Sequence, residues 1–186
     1  MKKITFTLLL ILTSIVSQAQ NLSMSELLSL LGKDVSYVEE FLSEKGWMFR
    51  KAEDDDILSK FHNNSVMLFD YGRTIYDSDR AESFLACSFN TNSLKVEYLQ
   101  LQVANNEDYL EYMKAIKGYG CKLISSSYIR DGLSYGLRKL YRGKTKTFRI
   151  TTVTTKDEDD PDKMDNYWSF VIMSNKTYNE HYPSLE

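Results

Sequence analysis

Apolar side chains recur at helical spacing in two segments of the chain, YVEEFLSEKGWMFRK at residues 37–51 and YLEYMKAIKGYGCKL at residues 109–123. Large apolar residues three and four positions apart predict an amphipathic helix in each segment. Each helix then meets Lys-Gly, where glycine can take the left-handed conformation that ends a helix and lysine favours the negative end of the helix dipole. A further helix is predicted at residues 23–31, and residues 32–34 have the pattern of a helix end followed by a new N-cap.

The two helical segments align without a gap, with Tyr37 matching Tyr109 and Gly46 matching Gly118. Any two amphipathic helices that end in Lys-Gly resemble one another, even where no repeat exists. However, the segments that follow the two helices also correspond in character. The alignment therefore predicts an internal repeat, with a first unit at residues 20–104 and a second at residues 105–186 that together form one compact unit.

Each of the two aligned helices is followed by four runs rich in aromatic and β-branched residues and separated by Asn, Asp or Gly, a pattern typical of strands and turns. The predicted strands are residues 47–52, 66–71, 83–89 and 94–103 in the first unit and 121–129, 133–141, 147–155 and 167–173 in the second. Strands joined by short turns pair antiparallel, and the helices are expected to cover one face. The predicted class is α+β, with two repeats of a helix and a four-stranded antiparallel sheet plus an extra N-terminal helix, in one continuous sheet or two.

This element order is similar to that of the tandem helix-plus-four-strand repeats of β-lactamase inhibitory proteins, and to small helix-on-sheet domains of bacterial envelope proteins. The resemblance covers the chain beyond residue 19 in element order only. It rests on no shared motif, so it transfers no functional residue.

The first 19 residues have the three parts of an export signal. Lys2 and Lys3 form a positive start, residues 4–16 are mostly apolar, and Ser17 and Ala19 place small residues at positions −3 and −1 of a cleavage site. The apolar stretch is shorter than the roughly 20 residues that a membrane-spanning helix needs. With its Ala-Gln ending, the segment resembles the signals of exported proteins from Bacteroidetes-type bacteria. We expect a periplasmic or extracellular protein.

Removal of residues 1–19 takes away two of the 23 basic residues, which leaves 21 against 26 acidic ones and a net charge of −5. A mildly acidic chain is a poor candidate for nonspecific nucleic-acid binding, which depends on clustered positive charge. Two cysteines remain, Cys87 and Cys121. An oxidising compartment permits a disulfide between them, but two separately buried thiols explain the sequence equally simply.

The sequence offers no constellation that identifies a catalytic or metal site. The only histidines are His62 and His181, and neither has a companion at metal-ligand spacing. Cys87 lies in the apolar run FLACSF, where a small buried side chain is the ordinary interpretation. We therefore expect no cofactor, no metal and no enzymatic activity, with a hydrolase that uses an unplaced pair of carboxylates as the alternative.

A basic run, RKLYRGKTKTFR, holds six cations among residues 138–149 and is interleaved with aromatic residues. It predicts an exposed hairpin with its tip at residues 142–144. This hairpin is the candidate binding site, for an acidic protein surface, a glycan or a lipid headgroup. The candidate residues are Arg138, Tyr141, Arg142 and Lys144. The alternative is that the positive charge only protects a strand edge from unwanted pairing.

An acidic run, TTKDEDDPDKMDNYW at residues 154–168, occupies the position of the hairpin tip between the last two predicted strands. It fits a calcium loop poorly, because an EF-hand that started at Asp157 would have Pro161 at the fifth position and Asp162 where glycine is required. We interpret the run as a solvated hairpin extension, with a loose divalent-cation site as the alternative.

These observations together predict an exported, non-catalytic binding or inhibitory module that recognises an envelope or extracellular partner. A structural component of the envelope and a hydrolase are the alternatives. Neither the ligand nor the oligomeric state follows from the sequence.

Overall fold

The computed structural model describes residues 22–54, 64–72, 83–131, 134–156 and 164–181. Within these residues four helices form, namely α1 (Met24–Leu30), α2 (Val35–Glu44), α3 (Asn106–Gly118) and α4 (Asn175–His181). The strands of the first half are β1 (Met48–Asp54), β2 (Asn64–Tyr71), β3 (Ser83–Asn90) and β4 (Lys95–Val103). Those of the second half are β5 (Lys122–Asp131), β6 (Ser134–Arg142), β7 (Lys146–Lys156) and β8 (Met164–Ser174).

All eight predicted strands form, each within a few residues of its predicted bounds, and the α+β class is confirmed. The three predicted helices form as well. Helix α4 was not predicted, because its sequence NKTYNEH is short and polar and carries no apolar periodicity. The predicted export signal and the acidic hairpin tip at residues 157–163 lie outside the described residues.

The strands form one continuous antiparallel sheet in the order β1-β2-β3-β4-β8-β7-β6-β5. Each half of the chain is a meander of four consecutive strands. The two meanders meet where β4 pairs antiparallel with β8, which places Leu101 opposite Phe170 and Gln102 opposite Ser169. This pairing decides between the one-sheet and two-sheet arrangements that the sequence left open.

The helices begin at polar residues that satisfy the free N–H groups of the first turn. Ser23 and Glu26 form a reciprocal capping box at the start of α1, and the Asp34 side chain accepts a hydrogen bond from the Ser36 N–H at the start of α2. The hydrogen bond from Lys45 lowers the pKa of Glu26. Gly32, with φ of +79°, makes the turn between the two helices that was expected at this position.

One face of the sheet carries the main core. Helices α1, α2 and α3 supply buried side chains to a single apolar cluster with this face. The central sheet members of this cluster are Phe69, Leu85, Leu101, Phe148, Ile150, Phe170 and Ile172. Tyr112 of α3 packs against Phe170, with ring centroids 5.3 Å apart, and its hydroxyl donates to the Leu22 carbonyl oxygen at 2.6 Å. Burial of each large apolar side chain contributes about 1.5–3 kcal/mol, so this face supplies most of the stability.

The opposite face, called the open face below, is partly covered by α4. Tyr178 of this helix joins a second, smaller cluster with Tyr98, Leu140, Val171 and Met173. The three predicted helices cover one face as expected, whereas α4, which the sequence did not predict, lies on the other face. This helix is held at the β6–β7 turn, because the Asn175 side chain donates to the carbonyl oxygens of Gly143 and Lys144 at 3.1 Å each.

Gly136 in β6 allows an unusually close approach between β6 and β7. A Cβ atom at this position would lie 1.9 Å from the Thr152 carbonyl oxygen, which is a backbone atom that cannot move away alone. We expect Gly136→Ala to lower the free energy of unfolding by about 2–3 kcal/mol. Urea denaturation followed by circular dichroism measures this change.

Gly118→Ala is the matched control, because a Cβ atom at Gly118 meets nothing within 4 Å. Its unfolding free energy should stay the same or rise by up to about 1 kcal/mol. Equal stability of the two variants would contradict the close approach at Gly136.

Candidate functional site

A continuous row of polar residues crosses the open face in the second half of the sheet. Cross-strand pairing places Ser127 opposite Arg138, Arg138 opposite Thr151, Thr151 opposite Ser169 and Ser169 opposite Gln102. These five residues, called the polar row, come from five neighbouring strands. With about 4.8 Å between strands, the row is roughly 19 Å long.

Arg138 is the one charged residue of the polar row. It lies between two hydroxyl side chains, Ser127 on one side and Thr151 on the other. Its Nε atom is buried and has no hydrogen-bond partner. A buried donor without a partner costs about 1–3 kcal/mol, and more when it belongs to a charged group. An ordered water molecule or a ligand can supply the acceptor for such a donor.

Two further arginines lie near Arg138 on the same face. Arg149 pairs with Leu140 and is therefore a diagonal neighbour of Arg138 across the β6–β7 ladder. Arg142 lies four residues along β6, where it donates to Asn179 at 2.9 Å and lies over the ring of Tyr178 at 5.6 Å. Arg142 thus attaches α4 to the sheet. Positive charge collects on this part of the face, and no carboxylate stands directly opposite Arg138 or Arg142 in the described pairings.

The first half of the open face is different, because its arginine has an anionic partner. Arg50 contacts the carboxylate of Asp70 at 3.3 Å and lies over the ring of Phe84 at 5.8 Å. Asp70 is only 1% exposed. The positive charge of Arg50 is therefore balanced locally by a buried carboxylate.

The structure separates the four candidate residues of the basic hairpin. Arg138 and Arg142 share the open face, but Tyr141 points to the other side, where it is 9% exposed and belongs to the main core. Lys144 is exposed in the turn between β6 and β7. Strand alternation explains this separation, since neighbouring residues of a strand point to opposite faces.

The other members of the polar row were not among the candidates. Gln102 and Ser169 lie in different halves of the chain, and only the β4–β8 pairing brings them together. Gln102 alternates with apolar residues in LQLQV, a signal that identifies its face of the strand but not its neighbours. Ser169 carries no such signal, because four consecutive apolar residues follow it.

One sequence pattern typical of hydrolases, absent from the candidates above, falls at the β5–β6 hairpin. Residues 132–136 read Gly-Leu-Ser-Tyr-Gly. A nucleophile elbow needs its serine at a turn from a strand to a helix, whereas Ser134 begins a strand and pairs with Thr155 of another strand. The Ser134 and Thr155 hydroxyls share a hydrogen bond of 3.0 Å. This pattern therefore does not support a serine hydrolase.

The histidines do not form a recognisable catalytic group in the described residues. His62 lies outside them. His181 is at the end of α4, with its Nε2 atom 4.0 Å from the Glu97 carboxylate. In the part of the chain that the structure describes, no three metal-binding side chains come together, and no helix is long and apolar enough to cross a bilayer.

Both cysteines are free, buried thiols. Cys87 lies on β3, while Cys121 lies beside Gly143 at the β6–β7 turn. At least three strand spacings, roughly 14 Å, separate the two positions in the sheet, and a disulfide requires Cα atoms within about 7 Å. The structure therefore contains two separate thiols, which is one of the two interpretations that the sequence left open.

Comparisons with protein-family models, with curated proteins and with solved structures found no match for this chain.

The two thiols should react slowly in the folded protein. Burial raises the pKa of both Cys87 and Cys121, so at pH 8 little of either thiol is the reactive thiolate. We expect a disulfide-exchange reagent such as Ellman's reagent to label neither cysteine rapidly under native conditions and both after unfolding. The released chromophore measures the reaction. Fewer than two thiols in the unfolded, unreduced protein would instead indicate a disulfide.

Proposed function

We propose that this chain is an exported, non-catalytic binding module that holds a carboxylate of a protein partner against the open face of its sheet. The observation that carries the proposal is the buried Nε atom of Arg138, which has no acceptor. The remaining features of the face support a binding role and indicate the chemistry of the ligand.

A carboxylate suits the surroundings of Arg138. An arginine offers several N–H donors in a fixed plane, and carboxylates accept two of them side by side. Ser127 and Thr151, directly opposite Arg138 on its two sides, are hydroxyl residues that can donate to the same group.

The partner is a protein in this proposal because the surroundings combine polar and apolar surface. Partly exposed Thr151, Gln100 and Gln102 alternate across the strands with buried Val153, Leu140 and Val171. Protein interfaces are typically of this mixed kind and are enriched in arginine. A broad strand surface also gives a partner many contacts that a small anion would not use.

The proposal includes the finer description of the chain as two helix-plus-four-strand repeats, residues 20–104 and 105–186. It is supported by the two meanders, by the helices α2 and α3 that precede them, and by the pairing of the last strand of each meander. The resemblance in element order to β-lactamase inhibitory proteins agrees with a role in protein binding. The partner itself would be an envelope or extracellular protein, since the first 19 residues have the pattern of an export signal.

Oxyanions should bind at Arg138 in a way that a nuclear magnetic resonance titration can localise. We expect the Nε–Hε resonance of Arg138 to shift when acetate or sulfate is added at constant ionic strength, because the anion supplies the missing acceptor. A dissociation constant on the order of 10 mM is expected for such a small probe. Arg138→Gln should remove the saturable shifts at residues of the polar row.

Arg130→Gln is the matched control, since Arg130 is an exposed arginine on the adjacent strand β5. This variant should bind both probes as the wild type does. A titration in which the Arg138 resonance does not move, or in which the two variants behave alike, would contradict a binding role for Arg138.

Export predicts a defined N-terminus. When the full chain is produced in a bacterium with a signal peptidase, we expect the protein outside the cytoplasm to begin at Gln20, and its intact mass measures this. Ala19→Arg should block processing, because the position before the cleaved bond must be small. Gln20→Ala is the control and should be processed normally. An unprocessed wild-type chain confined to the cytoplasm would rule out export.

A further inference from the structure

Helix α3 covers β8 on the helix-covered face of the sheet but not the strands β6 and β5 at the end of the sheet. Its Tyr109 stacks on Trp168 of β8, with ring centroids 5.2 Å apart. The row of side chains that starts at Trp168 continues on the same face through Thr152 and Leu137 to Tyr128. Leu137 is 39% exposed and Tyr128 is 68% exposed. The face is therefore uncovered at β6 and β5.

Exposed apolar side chains are concentrated around this uncovered area. Ten large apolar side chains are exposed in the described residues, and six of them fall within residues 110–137. They are Leu110, Tyr119, Leu123, Ile124, Tyr128 and Leu137. A concentration of exposed apolar surface of this kind marks an interaction site.

The side of α3 that faces the uncovered area is basic. The other side of the helix faces α1, because the Tyr112 hydroxyl donates to the carbonyl oxygen of Leu22, which lies just before α1. At 3.6 residues per turn, Leu110, Lys114 and Lys117 lie roughly 140–200° around the helix from Tyr112. All three side chains are exposed. They border the uncovered strands on the side away from α1.

Lys139 adds a third lysine on the uncovered face itself. It stands opposite Ser126 of β5 and two residues along β6 from Leu137. Neither this lysine nor the two of α3 form an ion pair within the described residues. The uncovered area, called the β5 surface below, consists of Leu123, Tyr128 and Leu137 with Lys114, Lys117 and Lys139.

The charge of the whole chain is distributed unevenly about this surface. Residues 112–149, which include much of α3, the strands β5 and β6 and the start of β7, contain ten of the 23 basic residues and one of the 26 acidic ones. The rest of the chain then has 13 basic residues against 25 acidic ones. An anionic surface therefore attracts this end of the sheet and repels the remainder of the molecule, which orients the chain as it approaches.

We infer that the β5 surface docks on an anionic lipid bilayer. Apolar side chains flanked by lysines are the features with which a peripheral protein lies in the headgroup region. Leu123 and Leu137 enter the boundary of the hydrocarbon, and the ring of Tyr128 lies at the level of the headgroups. The lysine ammonium groups contact lipid phosphates, while their methylene stems stay against the apolar surface.

A bilayer fits these features better than an acidic protein does. Leu123 and Ile124 are consecutive at the bulge of β5 and are 51% and 57% exposed, so aliphatic carbon projects at the outer edge of the strand as well as on its face. A protein partner would need a matching pocket for them, whereas lipid chains adapt to their shape. The cations of the β5 surface are lysines, which act as point charges, and specific recognition of carboxylates favours arginine instead.

Vesicle binding tests the docking. The purified chain that begins at Gln20 should cosediment with vesicles of phosphatidylcholine that contain about 30% phosphatidylglycerol, and about tenfold or more weakly with vesicles of phosphatidylcholine alone. Sodium chloride at about 0.5 M should weaken the binding to the anionic vesicles, because salt screens the lysines from the lipid phosphates.

Lysine substitutions test which part of the molecule meets the bilayer. The double variant Lys114→Gln with Lys117→Gln should bind anionic vesicles roughly 20-fold more weakly, since each cation near such a surface contributes about fivefold. The matched control is Lys95→Gln with Lys176→Gln, which removes the same charge from two other exposed positions. The control should bind nearly as the wild type does.

A fluorescent side chain tests the depth of the apolar contact. Tyr128→Trp should shift its emission to the blue on anionic vesicles and should be quenched by brominated lipid chains, because this position enters the headgroup region. Tyr37→Trp is the matched control, since Tyr37 is also exposed but lies on α2. Its emission should stay unchanged after the signal of the wild-type tryptophans is subtracted. Circular dichroism checks that each variant is folded.

Three results would overturn the inference. They are equal binding to anionic and neutral vesicles, equal losses in the two lysine variants, and equal quenching of the two tryptophan variants. A wild-type chain that binds soluble polyglutamate but no vesicles would assign the β5 surface to an acidic protein and would also overturn docking on a bilayer. The β5 surface and Arg138 lie on opposite faces of the sheet, and the vesicles carry no carboxylate, so the outcome is independent of carboxylate binding at Arg138.

Discussion

The antiparallel ladder between β4 and β8 is the contact on which the other features of this structure depend. It joins two meanders that would otherwise be separate sheets. Its register sets Leu101 against Phe170 on the helix-covered face and Gln102 against Ser169 on the open face. A shift of one residue would turn every side chain of one meander to the wrong face. The core and the polar row therefore rest on the same set of backbone hydrogen bonds.

The two halves of the open face differ in how they treat positive charge. Arg50 in the first half has Asp70 as its anionic partner, and the buried carboxylate stabilises the fold locally. In the second half, Arg142 attaches α4, while the buried Nε atom of Arg138 remains without an acceptor. This difference is why the proposed binding surface lies in the second half.

The candidate site was only partly visible in the sequence. The basic run includes β6, and its residues Arg138 and Arg142 share one face of the sheet. Tyr141 was grouped with them because it is adjacent in the chain, yet alternation turns it into the core. Thr151, Ser169 and Gln102 could not be grouped with Arg138, since each comes from a different strand. Helix α4 was also missed, because tertiary contacts rather than a periodic apolar pattern hold its seven residues in place.

Local chemistry in the sequence determined the α+β class, the eight strands, three of the four described helices and the glycine turn at Gly32. Such features depend on the spacing of apolar residues, on caps and on turn residues, all of which act over a few positions. Only the tertiary structure decided that the strands form one sheet, that the cysteines lie far apart and that the buried Nε atom of Arg138 lacks an acceptor. Those properties depend on the pairing of strands distant in the chain, and the period-two pattern of a strand identifies its faces but not its neighbours.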